Sequence, residues 1–210
     1  MDLLDIALIV ALIISVIIHE MAHGYAANWL GDPTARLAGR LSANPLVHLD
    51  PMMSVILPGI LVVTGSPILF GAAKPVPYNP YNLTNQKWGE AIVAGAGPFA
   101  NIVIAVVFAL LIRSADVIGL SETFVSLSVS IIFLNIFLAM FNLVPIPPLD
   151  GSKILGRLLP FPLAMRYDSF RRGMEQNAGM AFILIIFIFV FVLSGPIYNL
   201  TYFFTTLLIG

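Results

Sequence analysis

From Leu3 to about residue 29 the chain is predominantly apolar, and the polar positions that interrupt it crowd into one stretch, IIHEMAHGY at 17–25. Two further apolar runs cover about 90–112 and about 123–143. About 20 such residues suffice to cross a bilayer, so each run predicts a spanning helix. Met52–Phe70 is long enough but is broken by Pro58, Gly59, Gly65 and Pro67. The segment from about 178 to 210 is apolar with a Gly195–Pro196 break, and reads as one kinked helix or two short ones.

Basic residues orient these segments. Arg36 and Arg40 follow the first run, Lys74 and Lys87 precede the second, and Lys153, Arg157, Arg166, Arg171 and Arg172 follow the third. Arg113 lies at the opposite end. If Met52–Phe70 dips into the membrane and returns, nine of the ten basic residues share one side, and the positive-inside tendency makes that side cytoplasmic. The re-entrant reading is therefore preferred, and irregular backbone at that depth must be buried in protein or line a wet cavity.

Composition agrees. Of 210 residues, 59% are hydrophobic and 10% charged, with a mean hydropathy of +0.98, where a soluble domain carries about 25% charged residues. The expectation is an all-α polytopic membrane protein forming a single domain over 1–210, with a core of about 1–160 and a C-terminal membrane segment of about 178–210. A net charge of −1 without a basic tract argues against nucleic acid as a partner. The absence of cysteine excludes disulfides, Cys-type zinc sites and thiol nucleophiles. MDLLDIALIV lacks the positive start of a signal peptide and reads as part of a retained helix.

The chemistry sits in HEMAH. His19 and His23 are one helical turn apart on one face, the spacing at which two imidazoles grip one metal ion. Glu20 adjoins the first and can reach a metal-bound water. This is the HExxH arrangement of zinc peptidases. Buried histidines and a snorkelling glutamate are the plainer alternative, but ionisable groups in a membrane helix are costly and mark function.

A catalytic zinc needs three protein ligands and an open position. Candidates for the third are His48, Asp50, Glu90, Asp116, Glu122 and Asp150. Asp150 ends FNLVPIPPLDG, and the charge asymmetry puts it at a depth similar to His19 and His23. By itself, LDG also reads as a helix end followed by an ordinary turn. Pro145, Pro147 and Pro148 forbid regular helix before it and free backbone groups for an extended peptide.

HEMAH at 19–23, GPFAN at 97–101 and NLVPIPPLDG at 142–151, in that order, resemble the motifs of the site-2 protease family of intramembrane zinc metalloproteases. NPLVHLDP at 44–51 and GAAKPVPYNP at 71–80 are similar to stretches of its small prokaryotic members, without PDZ or CBS modules. The resemblance implies a three-helix catalytic core, here with a re-entrant segment and one or two C-terminal helices. It implies one Zn2+ per chain held by His19, His23 and Asp150, Glu20 as general base and Asn142 stabilising the oxyanion. Asn101 bonds either substrate backbone or a neighbouring helix. His48 either enters the site, orients a ligand or caps a turn. Ser15 is read as packed between helices, while Gly97 and Pro98 shape the start of their helix without chemistry. GAAKPVPYNP could offer an extended edge to an unwound substrate.

The implied activity is hydrolysis of peptide bonds within transmembrane helices, in the plasma membrane with the site toward the cytoplasm. Partners are then the bilayer and a transmembrane substrate, with homo-oligomerisation left open. Two other classes compete. A non-proteolytic zinc-binding relative would usually have lost Glu20, and a zinc transporter would usually show internal repeats, of which HEMAH has none.

Overall fold

The computed structural model describes residues 3–50, 56, 63 and 73–210. Helix α1 (Leu3–Trp29) is followed by the one-turn α2 (Thr34–Leu37). Helices α3 (Gly89–Arg113) and α5 (Glu122–Asn142) flank a one-turn α4 (Ala115–Ile118). Then come α6 (Asp150–Leu158), α7 (Phe161–Gln176), α8 (Ala178–Ile188) and α9 (Ser194–Ile209). Among the described residues, four segments are long and apolar enough to cross a membrane: α1, α3, α5 and the stretch Ala181–Ile209. The protein is an all-α polytopic membrane protein.

The C-terminal stretch is one helix in length. The expected break at Gly195–Pro196 falls in the first turn of α9, and a π-turn over Phe189–Leu193 precedes it. A proline removes one helical donor and crowds the preceding turn. The wide turn sits where that crowding falls, so the chain continues in the same direction. The stretch Met52–Phe70, expected to be re-entrant, lies outside the described residues except for Ile56 and Val63. The residues flanking it meet, because Lys74 N–H donates to the His48 carbonyl (2.8 Å).

Helices α1, α3 and α5 form the core. Ala105 and Ala109 of α3 pack on Ile132 and Ile136 of α5, and Phe204 and Leu208 of α9 close over them. Where α1 ends, Ala27 and Leu30 pack on Val93 of α3 and Leu83. Small residues at these contacts let helices approach closely, which is how packing is gained where lipid is as apolar as leucine. The outward positions Ile6, Ile9, Val10, Ile13 and Ile14 of α1 are exposed and face lipid.

The end of α1 is fixed by polar chemistry. Gly31, at φ +100°, reverses the chain so that Asp32 N–H caps the Ala27 carbonyl (2.9 Å). The buried Asp32 carboxylate then accepts from Thr34 Oγ1 (2.5 Å), Asn79 N–H (2.6 Å) and Asn82 Nδ2 (2.9 Å). Arg40 donates to the Lys74 carbonyl (2.6 Å). Residues 73–79 are thereby strapped, without regular secondary structure, across the end of α1.

A second polar knot holds α6. Glu90, buried in the first turn of α3, pairs with Arg157 of α6 and with Arg171 of α7 (2.5 Å). Removing one member of a buried ion cluster strands the others. Glu90→Ala is expected to lower stability by about 3 kcal/mol, while Arg172→Ala, at an exposed position, stays within about 0.5 kcal/mol. Thermal unfolding in detergent measures both.

Candidate active site

Two elements bring the predicted ligands together. His19 and His23 project from the same face of α1, and Asp150 opens α6. His19 Nε2 and His23 Nε2 are 3.0 Å apart, and each lies 3.2 Å from Asp150 Oδ2. Among the described residues, these three form a group able to hold a metal ion.

The hydrogen bonds on the far side of each ring decide what the near side offers. His19 Nδ1 donates to the Asn101 side-chain oxygen (2.6 Å), and His23 Nδ1 donates to the Val93 carbonyl (2.7 Å). With Nδ1 protonated on both neutral rings, both Nε2 atoms present lone pairs. Two lone pairs and a carboxylate oxygen converging at 3.0–3.2 Å need a positive centre between them. Tetrahedral zinc, with ligands at about 2.0–2.1 Å, separates its ligand atoms by about 3.3 Å. The donor set therefore fits.

The opposite wall supplies clearance. A Cβ on Gly97 would stand 2.5 Å from His23 Nε2 and 2.6 Å from His19 Nε2. Only a glycine lets α3 come this close to the pair. Gly97 and Pro98 thus lie inside α3, about two turns from its start, and the place of Gly97 there is steric.

Asn101 and Asn135 are fully buried. Asn101 Nδ2 donates to Asn135 Oδ1 (2.9 Å), and Asn135 Nδ2 donates to Ser15 Oγ (3.0 Å) and to the Ile131 carbonyl (2.9 Å). This chain of amides runs from α1 through α3 to α5 and back. Of the two options for Asn101, the observed bonds correspond to the second, since its side chain meets His19 of α1 and Asn135 of α5. Ser15 terminates the chain. Asn135 belongs to none of the quoted motifs, although an asparagine in SIIFLNIFL is an intramembrane polar group with the signal of Asn101.

Glu20, His19, His23, Asp150, Asn142, Lys153 and Tyr78 are among the residues lining one cavity of about 130 Å³. Glu20 Oε2 accepts from Val76 N–H (2.9 Å), so the strap reaches the carboxylate. The Asn142 amide donates to the Leu138 carbonyl of its own helix (2.9 Å). Asp150 is buried at the mouth of α6.

His48 lies elsewhere. Its Nε2 donates to the Ser42 carbonyl (2.8 Å) within the turn Pro45–His48, and it is absent from the cavity wall. Of its three candidate roles, the geometry corresponds to securing a turn.

The profile of Peptidase family M50 matches residues 7–125 and 113–188. The chain belongs to this family, that of the site-2 proteases. It is 35% identical over 175 residues to "Putative zinc metalloprotease YwhC" of Bacillus subtilis, covering 80% of the chain and 73% of that protein. It is 30% identical over 141 residues to "Putative zinc metalloprotease Rip2" of Mycolicibacterium smegmatis, covering 63% and 49%. It is 34% identical over 93 residues to "Putative zinc metalloprotease MJ0611" of Methanocaldococcus jannaschii, covering 42% and 46%. No solved structure matches. The family and the donor cluster together make the cofactor Zn2+.

Two substitutions test this geometry. Asn101→Leu unpins His19 and should weaken zinc binding roughly 10- to 100-fold, as loss of a ligand's outer partner does, measured by chelator competition. Gly97→Ala inserts a methyl beside both Nε2 atoms and should cost more zinc than Asn101→Leu in the same assay. An unchanged zinc affinity in Gly97→Ala would count against the assigned metal position.

Proposed function

We propose that this protein is an intramembrane zinc metalloendopeptidase that hydrolyses peptide bonds within transmembrane helices. The observation that carries the reading is the convergence of His19 Nε2, His23 Nε2 and Asp150 Oδ2 with the Glu20 carboxylate in the same cavity wall. His19, His23 and Asp150 are the metal ligands, and Glu20 is the general base. When bound, zinc supplies Lewis acidity, acidifying water and polarising a carbonyl.

The chain's own groups do the rest. Val76 N–H holds Glu20 Oε2 and leaves Oε1 to accept a proton from the attacking water. Oxygen adds to the scissile carbonyl carbon, the C–N bond breaks, and Glu20 returns the proton to the departing amine nitrogen. One amide and one water become a carboxylic acid, ionised to carboxylate, and an amine. Asn101 and Val93 keep both imidazoles in the Nδ1–H tautomer throughout. The Asn142 side-chain amide, in the same wall, is suited to donate to oxygen as charge develops.

The substrate class follows from where the site sits. His19 lies more than two turns inside the end of α1, a helix long and apolar enough to span a membrane. The basic residues Arg36, Arg40, Lys74, Lys87, Arg157 and Arg171 gather near the end of α1 that carries the site, which supports a cytoplasmic orientation in the plasma membrane.

Wild type and Glu20→Gln, purified in detergent, should both hold about one zinc per chain. Cleavage of a transmembrane peptide should fall at least a hundredfold in the variant, as expected on losing a general base. Zinc in both chains with cleavage in neither would favour a metal-binding, non-proteolytic relative.

A further inference from the structure

Lys153 is the cation among the residues lining the catalytic cavity. It lies one turn after Asp150 on α6, and its Nζ is 3.8 Å from Asp150 Oδ1. That is an ion pair beyond hydrogen-bonding distance, so its three N–H donors are uncommitted to that carboxylate. Nζ also stands over the Tyr78 ring, 5.4 Å from its centroid, which steadies the ammonium without occupying a donor. Asp150 therefore turns one oxygen, Oδ2, to the imidazoles and the other toward Lys153.

A charge withdrawn from water is costly unless it meets a partner. In the loaded site, a divalent metal balances Asp150 and Glu20, and Lys153 leaves the cavity one positive charge in excess. Amide hydrolysis supplies the missing negative charge. A neutral carbonyl becomes a charged tetrahedral adduct and then a carboxylate.

We infer that Lys153, seated on Tyr78, is a catalytic residue whose ammonium contacts the oxygen that becomes negative during peptide hydrolysis and then holds the new C-terminal carboxylate. This rests on the peptidase reading. A plainer role, acting only through Asp150 as its counter-ion, makes a different prediction about zinc.

The experiment compares wild type, Lys153→Arg and Lys153→Met as full chains in detergent. Zinc per chain, kcat and KM on a transmembrane peptide are measured for each. Binding of a peptide with the free C-terminal carboxylate of the cleavage product is compared with its carboxamide, in the inert Glu20→Gln background. Lys153→Met should retain zinc and lose roughly a hundredfold in kcat, with KM changed less than about threefold. Its preference for carboxylate over carboxamide should fall about tenfold, and Lys153→Arg should recover part of both.

Wild-type kcat or an undiminished carboxylate preference in Lys153→Met overturns the inference. Loss of zinc in step with activity assigns Lys153 to Asp150 alone and also overturns it. If wild type cleaves nothing, the peptidase reading fails. The carboxylate preference, read by binding alone, still decides whether Lys153 is an anion contact.

Discussion

The hydrogen bond from His19 Nδ1 to Asn101 is the constraint on which the structure turns. Within a bilayer, apolar burial does little to hold one helix against another, because lipid competes equally for the same surface. Polar groups have no such alternative partner. The run Ser15, Asn135, Asn101, His19 therefore sets the mutual register of α1, α3 and α5. The same run fixes the imidazole tautomer, since an amide oxygen accepts only from a protonated Nδ1. Helix association and metal-ligand chemistry are one set of bonds here, which is why both small residues and asparagines occupy the seam.

Asp150 comes from outside that bundle and depends on a different frame. It follows a proline-rich connection that cannot be helical, so its position rests on α6 being clamped. Glu90 does this from the first turn of α3 through Arg157, with Arg171 of α7 completing the cluster. The strap is likewise secured at Asp32, Arg40 and His48 before Val76 reaches Glu20. Charged knots stand where the helices end. Neutral amides do the tying in the interior, where desolvating a charge costs several kcal/mol per ion.

The fold and the heart of the site were legible because their signals are local. Three long apolar runs predict three helices within a residue or two of those observed, and the i, i+4 spacing of His19 and His23 needs only the helix to become a chelating pair. What escaped reading depends on distance across the bundle. The sequence of GPFAN does not say that Gly97 faces two imidazoles, because the register between α1 and α3 comes from Asn101 and Val93. Lys153 reads as one more basic residue after a helix, and only the fold of α6 turns it inward. Pro196 left one kinked helix or two short ones open, and the π-turn before it yields a single helical stretch.

Two carboxylates share this small cavity, and their partners separate their tasks. Asp150 turns Oδ2 to the two imidazole Nε2 atoms and Oδ1 toward the Lys153 ammonium. That arrangement suits the ligand role proposed for it. Glu20 is held at one oxygen by a neutral backbone N–H. A single amide dipole fixes its orientation, and in the proposed mechanism the second oxygen accepts from a water. Divergent environments of this kind are how one site assigns opposite duties to the same functional group. The strap and α6 meet here because, in the proposed mechanism, one orients the base and the other carries the ligand.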